Sequence, residues 1–332
     1  MQQSYFYTET AFIHQGEIAY LMNLIKISAK AGAKGIKFQV IGDYDDFISS
    51  VNPNYEPFKK AMITKDDWTE IFSFTKESGL DIIYMPCDKK AAHYANDIWS
   101  SKISFVDIHP VNFNYEPILT IIKEGPSDLI LGVGGRVKQE IDRKIDFFGD
   151  KIKVLMFGHQ AFPTDLWQSA IGKIPMLKLA YPQIAIGYAD HSRFDSPWAR
   201  YLNSVAYMLG ARFFEKHVAV KAGEERFDYI ASSDGASIKQ IIDDIALLDS
   251  RDIAFPDITM LNASEEKYTS RQVKAVASRD MKPGEVLSAS DVLYKMIESE
   301  KGFPYEQDPV GKKLKEAVGH NFPFTQENIQ QG

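Results

Sequence analysis

The sequence is poor in cysteine, in basic charge and in long apolar runs. Cys87 is the one cysteine in 332 residues, which excludes an internal disulfide and fits a reducing compartment. Acidic side chains outnumber basic ones, 45 to 38, for a formal net charge of −7. Binding a phosphate backbone needs a basic footprint, so a nucleic-acid partner is not expected. No apolar run approaches the ~18 residues of a membrane span. The opening MQQSYFYTETAF has neither the basic start nor the apolar stretch of a signal peptide. The expectation is a cytoplasmic protein with no membrane partner.

What is present is ordinary globular composition, 45% hydrophobic and 25% charged, in a chain long enough for two domains at roughly 150 residues each. Up to about residue 250, two textures alternate. One has helical spacing, as from Glu17 to Ala31, where Ile18, Leu21, Leu24, Ile25 and Ser28 share a face. The other is a short apolar run, such as GIKFQV at 35–40. In AGAKGIKFQ, SGLDIIYMP and LGARFFEKH a helical stretch ends in glycine and a strand-like run follows. Glycine suits the left-handed position that closes a helix. With YFYTET, SFVDI (104–108), DLILGV (128–133), KVLMF (153–157) and IAIGY (184–188), eight strands alternate with helix-sized segments. That pattern predicts a TIM (β/α)8 barrel over residues 1–252. An open doubly wound sheet is disfavoured, because no glycine-rich dinucleotide fingerprint follows the first strand. Residues 253–270 are polar and read as a linker. From 271 to 332, β-like stretches around Lys282-Pro283-Gly284 predict a small β-rich domain.

In such a barrel the reactive groups sit at the C-terminal ends of strands. Glu215 and His217 are two residues apart in FFEKH, so a strand points both to one side, with Lys216 opposite. Gly187, Ala189 and His191 share a side in the same way. Two imidazoles with oxygen ligands nearby suit a divalent transition metal; the alternative is a pair of hydrogen-bonded structural histidines. Lys37, sharing a face with Gln39, either binds an anionic substrate or forms an ion pair across the barrel mouth. Glu9 reads as a general base or hydroxyl-binding group, and Asp228 as a ligand for substrate hydroxyls or a solvated loop carboxylate. His159 lies just past the sixth strand. His14 reads as orienting the first helix, His93 as a helix-face residue, and Cys87 as inert packing.

The ordered segments TETAFIHQGE (8–17), AGAKGIKFQ (31–39), YMPCD (84–88), GYADH (187–191) and FEKH (214–217) resemble the sialic acid synthase family. The tail, VASRDMKPGEVLSASDVLYK followed by VGKKLKEAV, resembles that family's antifreeze-like (SAF, β-clip) domain. The resemblance implies a condensation of phosphoenolpyruvate with an open-chain amino sugar to a 2-keto sugar acid. It makes His191 and His217 ligands of a divalent metal: manganese, with magnesium or cobalt as alternatives. It places Glu9 near the reacting carbonyl, Lys37 at the three-carbon donor, Glu215 beside the metal and Asp228 at the sugar hydroxyls. It also implies a domain-exchanged homodimer.

The departures lie at the donor phosphate. Where the family has Lys-Ile-x-Ser after strand four, this chain has Asp107-Ile108-His109-Pro110. Gly132-Val133 replaces a Ser-Thr pair, Ala189 a serine, Gln160 an asparagine and Phe162 a tyrosine; Met296 replaces an arginine, whereas Lys295 is retained. Each lost charge-assisted hydrogen bond is worth about 1.5–3 kcal/mol. Arg136 and His159 are the nearest substitutes. Three readings follow: a divergent synthase, a metal-dependent aldolase, lyase or epimerase with Asp107 and His109 as acid–base groups, and a non-catalytic sugar-binding homologue.

Overall fold

A computed structural model describes residues 3–158, 161–250, 259–269, 271–298 and 301–330. Its strands begin where the sequence turns apolar: β1 (Tyr5–Glu9), β2 (Gly35–Val40), β3 (Asp81–Pro86), β4 (Ile103–Ile108), β5 (Asp128–Gly132), β6 (Ile152–Gly158), β7 (Ala185–Asp190) and β8 (Phe213–Val218). Each pairs in parallel with the next, and β1 pairs with β8, setting Glu9 opposite His217. The ring is therefore closed, as a TIM barrel requires, and the open-sheet alternative is excluded. A short β9 (Ser232–Ser233) extends the sheet from β8.

Ten helices accompany these strands among the described residues of this region: α1 (Ile18–Ala31), α2 (Tyr44–Phe47), α3 (Tyr55–Lys60), α4 (Lys65–Glu77), α5 (Lys89–Asp97), α6 (Glu116–Glu124), α7 (Lys138–Phe148), α8 (Lys173–Ala180), α9 (Tyr201–Met208) and α10 (Gly235–Ser250). The helix-closing glycines Gly32, Gly79 and Gly210 have φ of 91°, 78° and 110°, a turn that costs least without a Cβ. Sequence periodicity missed α2 and α3, which at four and six residues are too short to show a repeating apolar face, and α8, which buries only Ile174 among its side chains. Residues 197–200, immediately before α9, form a turn.

Alternation along the strands divides the interior in two. Outward residues such as Ile36, Phe38, Val40, Ile82 and Tyr84 pack against Leu21, Leu24, Trp68 and Phe72 of the helices. Truncating a fully buried phenylalanine such as Phe72 costs about 3–5 kcal/mol. Inward residues Tyr7, Ile83, Ile130, Val154, Met156, Ala189 and Phe213 plug the barrel. Nearer the C-terminal strand ends, the same alternation turns polar at Glu9, Lys37, Asp107, Glu215 and His217, all buried.

The chain divides into two compact units, residues 1–255 and 256–332. In the second, α11 (Ala263–Thr269) gives the polar segment read as linker a short helix. There β10 (Val273–Ala277) and β11 (Val292–Met296) form an antiparallel pair. Ala275, Ala277, Met281, Leu287, Phe303, Leu314, Val318, Phe324 and Ile329 make its core. No helix among the described residues is long and apolar enough to cross a membrane.

Candidate metal and substrate site

Strand parity and ring closure together bring side chains from distant segments to one point. One ligand atom each from Glu9, His191, Glu215 and His217 lies within 4.8 Å of the others. The two imidazoles meet edge to face with centroids 4.8 Å apart, and Phe162 packs on both at 5.9 and 5.7 Å. Nε2 of His217 is 3.2 Å from Glu9 Oε2, while its Nδ1 is buried with no hydrogen-bond partner. A buried polar atom without a partner is costly. Two imidazoles and two carboxylates are a donor set that fits a divalent metal.

Lys37 occupies the centre of the acidic side of this cluster. Its Nζ lies 2.9 Å from Glu9 Oε2, 3.0 Å from Asp107 Oδ2 and 2.7 Å from Glu215 Oε2. Gln39 Nε2 donates to Glu9 Oε1 at 2.7 Å, and the Tyr7 hydroxyl donates to Glu215 Oε2 at 2.6 Å. These groups titrate as a set. Burial pushes the Glu9 carboxyl up, but Lys37 and His217 outweigh it and hold it well below the usual carboxylate range. Burial raises the Glu215 carboxyl well above that range; Lys37 opposes, and the neighbouring Glu9 charge adds to the rise. Asp107 is raised by burial despite Lys37. Burial acts to lower Lys37, yet Asp107, Glu215 and Glu9 more than reverse it and keep the ammonium charged. Two neighbouring carboxyls are thus pushed in opposite directions, Glu9 down and Glu215 up, within reach of each other.

The cluster forms the floor of a cavity of about 510 Å³, open at the C-terminal ends of the strands. The residues singled out in the sequence that line it include Glu9, Lys37, Asp107, Arg136, His191, Glu215, His217 and Asp228, together with Gln39 and His109. Arg136 reaches it from beyond β5, with one nitrogen donating to Pro110 O at 3.2 Å and its guanidinium over Phe113 at 4.2 Å. Asp228 has φ of 62° and accepts from Phe12 N at 3.4 Å. His159 and Gln160 lie outside the described residues. His14 is buried, accepts from Gly16 N through Nδ1 at 3.1 Å and stays outside the cavity lining. His93 is exposed on α5, 3.9 Å from Asp97, and burial pushes the Cys87 thiol well up, which makes it inert.

Two features escaped the sequence reading. Tyr7 looked like an ordinary strand aromatic, and its place beneath Glu215 depends on β1 pairing with β8. A further stretch of the lining, with Phe12, Phe47, Phe58 and Phe227 beside Asn52 and Asn54, is drawn from three segments: after β1, between β2 and α4 (including α2 and α3), and after β8. Aromatic and amide residues clustered at 47–58 were the available signal.

Residues 24–251 match the NeuB family. The chain belongs to that family. Across 98% of its length it is 22% identical to N-acetylneuraminate-9-phosphate synthase of Drosophila melanogaster, covering 95% of that protein. It is 24% identical to pseudaminic acid synthase of Campylobacter jejuni, over 92% of this chain and 90% of the relative. The fold superposes with a TM-score of 0.82 on a Chromobacterium violaceum protein assigned to spore coat polysaccharide biosynthesis (protein E), at 19% identity and covering 99% and 100% of the two chains. As a NeuB family member, the chain is thus a sialic acid synthase-like protein on a TIM barrel.

Proposed function

We propose that this protein is a sugar-acid synthase-like enzyme that joins C3 of a three-carbon donor to the aldehyde of an open-chain amino sugar. The product is a 2-keto sugar acid for surface-glycan biosynthesis in the cytoplasm. The observation that carries this reading is the convergence of Glu9, His191, Glu215 and His217 on the floor of a cavity walled by aromatics and amides. The names of the relatives, synthases of sialic-type acids, support it. His191 and His217, with Glu9 or Glu215, would hold manganese, with magnesium or cobalt as alternatives. Bound there, the ion supplies Lewis acidity to a carbonyl oxygen.

The chain's own groups do the rest. Glu9, kept anionic by Lys37 and fixed by Gln39, positions a water or hydroxyl at the reacting carbonyl. Glu215, its carboxyl raised by burial, is placed to pass a proton at the same point. Asp228 accepts from acceptor hydroxyls, and the Phe12–Phe58–Phe227 wall orients the sugar and excludes water. The donor is either phosphoenolpyruvate, as the resemblance implies, or its unphosphorylated 2-oxo acid counterpart. We read residues 271–332 as an antifreeze-like (SAF, β-clip) domain and the assembly as a domain-exchanged homodimer. Removing that segment should yield monomers in sedimentation and abolish acceptor binding; an unchanged dimer with full binding refutes the assembly. The activity is tested by incubating manganese-loaded protein with N-acetylated aldoses and each donor, and detecting the 2-keto acid by mass spectrometry. Metal-saturated protein that makes no such product from any pair refutes the reading.

A further inference from the structure

Phe12, Phe227 and Asp228, which line the cavity, come from two loops: residues 10–17 between β1 and α1, and residues 219–231 between β8 and β9. Both loops hold unfavourable backbone. Five non-glycine residues among the described ones have positive φ, and three of them lie here: Ala11 (42°), Gln15 (49°) and Asp228 (62°). A Cβ makes left-handed backbone costly, so it persists where surrounding contacts over-determine it. The hydrogen bond from Phe12 N to Asp228 Oδ2 is one such contact, and at 3.4 Å it is long. Arg226 supplies stronger ones. Its Nε donates to Ile13 O at 2.8 Å, and its Nη2 to His14 O at 3.4 Å and to Glu17 Oε1 at 2.6 Å. The guanidinium also lies 4.0 Å from the centroid of the Tyr20 ring, a cation–π contact. Its side chain is 12% exposed and stands behind the cavity lining rather than in it.

We infer that Arg226 is a positioning residue for the acceptor sugar. One side chain of the β8 loop grips two carbonyls of the β1 loop, together with a carboxylate and an aromatic face at the start of α1. It thereby locks the loop carrying Phe12 against the loop carrying Phe227 and Asp228. Phe12 and Phe227 reach Phe58 at 4.6 and 5.3 Å between ring centroids, so the clamp sets the shape of the whole aromatic wall. The task needs a planar fork with fixed N–H directions, which a lysine ammonium does not offer. Glu9 and His217 are held separately, by the ladder between β1 and β8. Loss of the clamp therefore reshapes the acceptor wall and leaves the proposed metal ligands in place. The identity of the ligand rests on the synthase reading above; the clamp itself does not.

The test compares manganese-loaded wild type with Arg226→Gln, Arg226→Lys and Arg200→Gln. Arg200 pairs with Asp244 of α10 at 2.7 and 2.9 Å, away from both loops, and controls for the loss of an ion pair elsewhere. Amide exchange over residues 10–17, read by mass spectrometry, should be about 10-fold faster in both Arg226 variants, the scale of one charge-assisted hydrogen bond. Arg200→Gln should leave it unchanged. Turnover is measured with phosphoenolpyruvate and N-acetylated aldoses, N-acetylmannosamine being the first probe. In the Arg226 variants the acceptor KM should rise about 10-fold while kcat, donor KM and bound manganese hold, the pattern of lost ground-state binding. An unchanged acceptor KM in folded Arg226→Gln refutes the positioning role and leaves the synthase reading standing. Arg226→Lys matching wild type in both measurements refutes the fork. A wild type that makes no product overturns the synthase reading and the acceptor role with it, whereas unchanged exchange over 10–17 overturns the clamp whatever the activity. If the Arg226 variants do not fold, Glu17→Ala decides: Glu17 is 60% exposed and its side chain caps no amide of α1. The same split should appear there, and its absence refutes the inference.

Discussion

Replacing Lys37 with methionine keeps most of the side-chain volume and removes the ammonium from between three buried carboxylates. At 2.9 Å and an effective dielectric near 20, each charge pair is worth about 6 kcal/mol gross. Desolvation offsets most of that, and breaking a buried ion pair by removing one partner costs about 3–5 kcal/mol net. For a barrel of this size, where 1 kcal/mol shifts melting by about 2–4 °C, the apo variant should melt about 10 °C below wild type. The shift should depend on pH. In wild type the Glu9 carboxyl is held low by Lys37 against burial, so its stabilisation is present at neutral pH and lost only as pH falls through that low value. Without Lys37, burial governs Glu9 as it already governs Glu215 and Asp107. A carboxyl raised above its unfolded value stabilises at acid pH, and that contribution fades as pH rises through the raised value. The gap between variant and wild type should therefore widen from about pH 5 to about pH 8, both above the unfolded carboxylate range. Thermal melts in chelator, followed by circular dichroism, measure it. A gap of less than about 2 °C at the upper pH, below the effect of 1 kcal/mol, or one that does not vary with pH, would show that Lys37 is not enclosed by charged carboxylates.

Other perturbations separate the site from the scaffold. His217→Ala should lose bound manganese in elemental analysis while the far-ultraviolet spectrum persists; full metal retention would remove His217 from the ligand set. Tyr7→Phe deletes the 2.6 Å hydrogen bond to Glu215 and should cost about 1.5–3 kcal/mol in denaturant unfolding, whereas no loss would mean that the hydroxyl is dispensable. Lys216 faces away from the cavity and pairs with Asp190 at 3.0 Å, both side chains fully buried; Lys216→Met should destabilise by about 3–5 kcal/mol and leave metal stoichiometry intact in the folded fraction. Cys87 should resist a thiol reagent in native protein and react on unfolding, because burial raises its thiol; rapid native labelling contradicts that.

Much of the barrel was legible from local pattern. Period-2 apolar runs, helical faces and the closing glycines Gly32, Gly79 and Gly210 marked the β/α alternation. The two-residue spacing of Glu215 and His217 put both on one side of the strand, and closure of the barrel makes that side the interior. Short helices such as α2 and α3 were not legible, since fewer than two turns show no periodic face. The aromatic wall was equally hidden, because Phe12, Phe58 and Phe227 come together only when their loops converge.

The site divides along the same line. Residue types and strand parity, which are local, determined that acids, a lysine and imidazoles would sit at strand ends facing inward. Closure of β1 onto β8 decided that Glu9 lies opposite His217. It also decided that Lys37 bonds to Asp107 and Glu215, respectively 70 and 178 residues away in the chain. Periodicity repeats every two or four residues and carries no information on which distant strand supplies the neighbouring side chain. Whether Lys37 would meet a substrate anion or the protein's own carboxylates was therefore set by the register and closure of the barrel.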